Sequence, residues 1–114
     1  MNVLVVEDEF LVRETIVEEL REAGFEVVEA ATGEEAVQLC ETIDVLFTDI
    51  RLPGSLTGWD IAERCRAARP NLPVIYATGY SHVEPRRVPG SVFFRKPYRA
   101  ANVIRAIREL TTSR

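Results

Sequence analysis

Five short apolar runs, separated by helix-length amphipathic segments, constrain the fold of this chain more than any other feature. NVLVV (2–6), DVLFT (44–48), PVIYA (73–77) and SVFF (91–94) are unbroken and rich in β-branched or aromatic residues, as strands buried on both faces are. A weaker run, FEVVEA (25–30), alternates partly and suits a strand nearer a sheet edge. Apolar residues recur at spacings of three and four between the runs: Ile16, Leu20 and Ala23, then Ala36, Leu39 and Cys40, and finally Val103, Ile107 and Leu110. Gly24 stands where a left-handed helix cap is often needed, and Thr32 with Glu35 resembles a capping box. Strand and helix alternate five times, which predicts a parallel sheet covered by helices on both faces. The fourth helix is expected to be short or irregular, because YSHVEPRRVPG (80–90) contains Pro85 and Pro89.

The 114 residues suit one domain spanning 1–114 around one hydrophobic core. No apolar stretch approaches the roughly 18 residues of a membrane span, and residues 1–6 run into a core strand rather than a signal peptide, so a cytoplasmic protein is expected. Cys40 and Cys65 lie far apart in helix-patterned segments, with no metal-ligand spacing, and read as reduced packing residues. The net charge of −4 argues against nucleic acid as a partner of the whole surface. The charge is polarised: residues 1–50 hold 14 acids against two arginines, whereas residues 85–114 hold eight bases against Glu109. Solvated helix faces explain most such runs, with a partner surface as the alternative.

Open parallel sheets bind ligands beyond the carboxyl ends of their strands. Glu7 and Asp8 close the first run, Asp49 the third, Thr78 the fourth and Lys96, the only lysine, the last. Singly, each has a structural explanation as a helix-dipole partner, a cap or a solvated terminus. Together they place three carboxylates, a hydroxyl and an ammonium on one edge. Crowded carboxylates call for a cation, and an all-oxygen donor set suits Mg²⁺, with Mn²⁺ as a substitute. Asp8 and Asp49 are the direct ligands in this reading, Glu7 acts through water, and a backbone carbonyl after Asp49 fills another position. Asp49 keeps an oxygen with which to attack phosphorus and form an acyl phosphate, while metal, lysine and hydroxyl neutralise the phosphoryl oxygens. Lysine suits that task as a compact charge on a flexible stem, and Pro97 after it leaves a cis Lys96–Pro97 bond open.

The motifs VVEDE, FTDIRLPG, YATGY and FFRKPY together resemble the receiver domain of two-component response regulators, over about residues 2–110. The resemblance implies a flavodoxin-like three-layer fold, a five-stranded parallel sheet of order 2-1-3-4-5 flanked by five helices. It implies that Asp49 accepts phosphoryl from a histidine kinase or a histidine phosphotransfer protein, and that Glu7, Asp8, Asp49 and the Arg51 carbonyl hold Mg²⁺. Thr78 and Lys96 would contact the phosphoryl group, and Phe93, three residues before the lysine, would change rotamer as the threonine moves inward. Output would run through the 80–108 face to a protein partner or a phosphorylation-dependent homodimer, without contact to DNA or membrane.

The sequence departs from the family at several points. The loop between Asp49 and Gly58 is one residue longer than the commonest pattern, Phe93 lacks a tyrosine hydroxyl, and Arg51 and Tyr80 flank the site where water access sets the lifetime of the modified state. A haloacid dehalogenase-type phosphatase would need an Asp-x-Asp motif after the first strand. A flavin carrier would need a phosphate-cradling loop where Glu7-Asp8-Glu9 stands. A receiver-fold binding module acting without phosphorylation is the remaining alternative. The chain reads as a stand-alone regulator or as the receiver of a longer protein such as a hybrid kinase.

Overall fold

The computed structural model describes residues 1–79 and 86–112. Its strands β1 (Asn2–Val6), β2 (Glu26–Ala30), β3 (Val45–Asp49), β4 (Val74–Thr78) and β5 (Val92–Arg95) form one parallel sheet of order β2-β1-β3-β4-β5. The weak second run is an edge strand, as its partial alternation predicts. Side chains leave successive strand positions on opposite faces, so each unbroken apolar run feeds two cores. Leu4, Val6, Leu46 and Tyr76 pack beneath α2 (Gly33–Val37) and α3 (Gly58–Ala68), against Ala36, Ile61 and Cys65. Val3, Val5, Phe47 and Ile75 pack beneath α1 (Phe10–Glu22) and α4 (Ala100–Thr111), against Ile16, Leu20, Val103 and Ile107.

Gly24 takes φ +102° after α1, as its position predicts. At α2 the Thr32 hydroxyl accepts the Glu35 N–H at 3.2 Å, while the Glu35 carboxylate reaches the Ala31 N–H at 2.8 Å rather than closing the box on Thr32. The complete capping box is at α3. Thr57 accepts from the Asp60 N–H, and the Asp60 carboxylate accepts from the Thr57 N–H at 2.8 Å and its hydroxyl at 3.0 Å. These bonds, the Thr57 N–H first, hold the Asp60 carboxyl below its ordinary range. Thr57→Ala should cost about 1 kcal/mol, read as a lower urea midpoint at unchanged slope.

Residues 80–85 of the expected fourth helix lie outside the described residues, and Arg86–Gly90 form no helix. The last helix is therefore α4 here. α2 stops at Val37, and Cys40 lies in a 3-10 turn (Cys40–Thr42) rather than in a continuing helix.

This shortening explains a correction to the sequence reading. Cys40 and Cys65 are not reduced packing residues but form a disulfide, with Cα atoms 5.1 Å apart. The tight turn brings Cys40 against the inner face of α3. Helical spacing extended through residue 40 conceals this approach.

Candidate functional site

Three turns at the carboxyl ends of the strands build the site. Glu7 follows β1 and is buried, 5% exposed, because β1 lies between β2 and β3 and its end is covered by the turn into α1. The Arg13 guanidinium, one turn into α1, donates to the Glu7 carbonyl at 2.6 Å and to the Glu29 carboxylate at 3.1 Å, fixing that turn. Asp49 is the last residue of β3, paired in register with Ala77 of β4. Its Oδ1 accepts the Ile50 N–H at 2.7 Å. Gly58 lies so close to this strand end that an added Cβ would sit 2.2 Å from the Asp49 carbonyl oxygen. Its N–H donates to the Ile50 carbonyl at 2.8 Å, which ties the start of α3 to the end of β3.

Lys96 lies one residue beyond β5, held by its N–H to the Thr78 carbonyl at 2.8 Å and followed by a cis peptide bond to Pro97. Its Nζ donates to Glu7 Oε1 at 2.8 Å and to Asp49 Oδ2 at 2.9 Å. Burial alone would lower the Lys96 pKa, but the two charged hydrogen bonds outweigh it and hold the ammonium above its ordinary range. Glu7 is pushed up chiefly by burial. The Lys96 hydrogen bond and the Glu9 N–H on Oε2 oppose that shift, and the Asp49 charge adds to it. Asp8 is exposed beside them, and a carboxylate oxygen from each of Glu7, Asp8 and Asp49 lies within 4.8 Å of the others. One ammonium neutralises one of three such charges. The all-oxygen cluster therefore fits a hard divalent cation.

A cavity of about 470 Å³ opens over this cluster, with Arg51 and Gly79 on its walls. Thr78 ends β4 beside it, 1% exposed. Phe93 lies a layer below, in a ring cluster with Trp59 and Tyr76 at centroid distances of 6.4 Å each. The Tyr76 hydroxyl accepts the Val88 N–H at 3.1 Å. Tyr80 lies outside the described residues. The structure thus brings Glu7, Asp8, Asp49, Arg51 and Lys96 around one cavity, while Thr78, next in the chain to the lining residue Gly79, is buried at the end of β4 and Phe93 packs in the ring cluster.

Sequence reasoning missed the seat of the loop after Asp49. Glu34, in the first turn of α2, accepts from the Ser55 N–H at 3.2 Å and the Ser55 hydroxyl at 3.0 Å. The Ser55 N–H is the leading reason that the Glu34 carboxyl lies below its ordinary range. Gly33 allows the loop to approach, since a Cβ there would meet the Leu56 Cβ at 2.6 Å. Gly54, at φ +90°, carries the turn past Glu34. The sequence offered one signal, the Gly-Ser pair within the longer loop.

The sheet order and the acidic cluster at its carboxyl edge define the class of CheY-like α/β domains. Residues 3–108 match the response regulator receiver domain, and the chain belongs to that family, the phosphoacceptor modules of two-component signalling. It is 38% identical over 120 residues to the transcriptional regulatory protein PdtaR of Mycobacterium tuberculosis, covering 99% of this chain and 57% of that protein. The chain thus spans little more than half the length of that relative. A response regulator receiver protein from Sinorhizobium medicae superposes with a TM-score of 0.91 at 30% identity, covering 96% of this chain and 93% of that one. The response regulator TrrA of Thermotoga maritima, solved in complex with Mg²⁺–BeF, gives a TM-score of 0.86 at 29% identity, covering 96% and 97%. Among the described residues no helix is long and apolar enough to cross a membrane.

Proposed function

We propose that Asp49 accepts a phosphoryl group from a histidine kinase or a histidine phosphotransfer protein, and that the modified domain acts on a protein partner. The single observation that carries this reading is the bridge from Lys96 to both Asp49 and Glu7 within an all-oxygen cluster. In the transfer, an Asp49 carboxylate oxygen attacks phosphorus as the bond to the donor histidine nitrogen breaks. The nitrogen keeps that electron pair, and an acyl phosphate forms. The Lys96 ammonium is already 2.9 Å from Asp49 and balances charge on the phosphoryl oxygens. Thr78 supplies a hydroxyl from the end of β4.

Glu7, Asp8, Asp49 and the Arg51 carbonyl would hold Mg²⁺, or Mn²⁺ in its place. When bound, the ion supplies the positive charge that the carboxylates and the incoming phosphoryl group together require. That TrrA was solved with Mg²⁺–BeF, a combination of metal and phosphoryl-like anion, supports this assignment. Arg51, on the wall of the cavity, and Tyr80, by its place in the sequence next to Gly79, would govern how readily water reaches the acyl phosphate. Phe93, against Trp59 and Tyr76, relays the change by packing, and the 80–108 face meets the partner or a second copy.

Intact-mass measurement after incubation with acetyl phosphate and Mg²⁺ tests the reading. The expected result is a single phosphoryl adduct that disappears when a chelator removes the metal. A folded protein that takes up no phosphoryl group from acetyl phosphate or from any histidine phosphodonor would leave the phosphorylation-independent module as the better account.

A further inference from the structure

The Cys40–Cys65 disulfide has no part in the chemistry at Asp49, yet it spans the layer that frames the loop after it. Cys65 is fully buried on α3, while Cys40 is 5% exposed and is among the residues lining a separate surface cavity of about 480 Å³. Val37, Gln38, Thr42 and Ala68 line that cavity, and Glu41 and Arg64 give it one charge of each sign. The turn containing Cys40 has a second, non-covalent hold, because the Arg69 guanidinium donates to the carbonyls of Cys40 and Ile43. Opening the bond therefore leaves the two sulfurs near each other, so it can close again. At the other end of the same layer Glu34 grips Ser55, and α3 begins at Gly58 against Asp49.

We infer that Cys40–Cys65 is a thiol–disulfide exchange site, opened by a small zwitterionic thiol of the glutathione class that enters over Cys40, and that the closed bond steadies the loop after Asp49. The incoming thiolate attacks Cys40 Sγ, the Cys40–Cys65 bond breaks, and Cys65 leaves with the electron pair and takes up a proton. A second thiol attacks the incoming sulfur of the mixed disulfide and releases Cys40 as a thiolate, which is then protonated. The protein disulfide is reduced to two thiols while two small thiols are oxidised to one disulfide. Attack is assigned to Cys40 because that residue lines the cavity and keeps 5% exposure, whereas Cys65 has none.

The test uses the folded, unsubstituted chain incubated with reduced glutathione, then alkylated with N-ethylmaleimide and weighed. Two adducts per chain are expected, none without glutathione, and loss of both after return to oxidised glutathione. A bond that opens only in denaturant would overturn the exchange site. Direction of attack is read from single substitutions given oxidised glutathione: Cys65→Ser should form a mixed disulfide at Cys40, and Cys40→Ser should remain unmodified. Equal uptake by both variants would overturn the assigned route. If Cys65→Ser does not fold, alkylation at early times during reduction of the unsubstituted chain decides the point, since the trapped intermediate should carry glutathione on Cys40. Hydrogen exchange of residues 51–57 should quicken several-fold in the dithiol form, and unchanged exchange would refute the link to the loop. None of these readouts depends on phosphorylation, so their failure is distinct from failure of the proposed function.

Discussion

Asp49→Asn gains no phosphoryl mass from acetyl phosphate and Mg²⁺ under conditions that label the unsubstituted chain. The carboxamide keeps the side chain's size and its oxygen can still accept the Ile50 N–H, but it has no anionic oxygen to attack phosphorus. It also removes one of the three charges that crowd within 4.8 Å, so Mg²⁺ affinity should fall by about tenfold or more. With its oxygen on the Ile50 N–H, the amide NH₂ takes the place of Oδ2 and faces the Lys96 ammonium, so the loss of that ion pair offsets the relief of repulsion against Glu7. Normal labelling of Asp49→Asn, mapped to the peptide containing residue 49, would remove Asp49 from the role of phosphoacceptor.

Lys96→Ala lowers stability outright. Glu7 and Asp49 are 6% and 10% exposed as side chains, and removal of their shared ammonium leaves two adjacent carboxylates facing each other. Breaking a well-buried pair in this way costs about 3–5 kcal/mol, and the 23% exposure of Lys96 brings the expectation nearer ~2 kcal/mol. The sign with pH follows from linkage. The folded-state pKa of Lys96 lies above its ordinary value, so its stabilisation is complete below that ordinary value, near 10.5, and is lost only as pH rises through the folded-state pKa. Without Lys96, Glu7 loses a hydrogen bond that lowers its pKa. The folded variant then holds an extra proton over a wider range, and its deficit should shrink as pH falls from 7 toward 5. Because Mg²⁺ supplies the missing charge, the metal should raise the Tm of Lys96→Ala more than that of the parent. Thermal melts with and without Mg²⁺ at two pH values check all three statements. In the labelled state, the same variant should show phosphoryl mass without the accompanying conformational change.

The acidic cluster was legible because chemistry and topology coincide at strand ends. Glu7, Asp49, Thr78 and Lys96 were found by asking which residue closes each apolar run. The apolar runs nevertheless stopped one residue short at three strands. Asp49, Thr78 and Arg95 lie within the ladder, where Asp49 pairs with Ala77 and Thr78 with Arg95, since backbone pairing continues past the point where side chains turn polar. Contacts that tie the turns and helices of one layer together left almost no trace in the sequence pattern, the Gly54-Ser55 pair apart. Glu34 meets Ser55 across 21 residues, and Cys40 meets Cys65 across 25, each through a turn whose path depends on the packed fold. Phe93 was expected at the switch position on family grounds alone. Its neighbours Trp59 and Tyr76 come from a helix and a strand whose facing sides only the tertiary structure reveals.

At least six of the 13 arginines, Arg13, Arg21, Arg66, Arg69, Arg87 and Arg108, donate to main-chain carbonyls, often bridging turns that the sheet cannot satisfy. A planar guanidinium suits that fastening, and using it throughout leaves the chain with a single side-chain primary amine. Within residues 1–114, Lys96 is therefore the one side-chain amine that acylating reagents can find. Engagement of Lys96 by two carboxylates shields it from such reagents, so its acylation rate becomes a built-in reading of whether the site is latched or open.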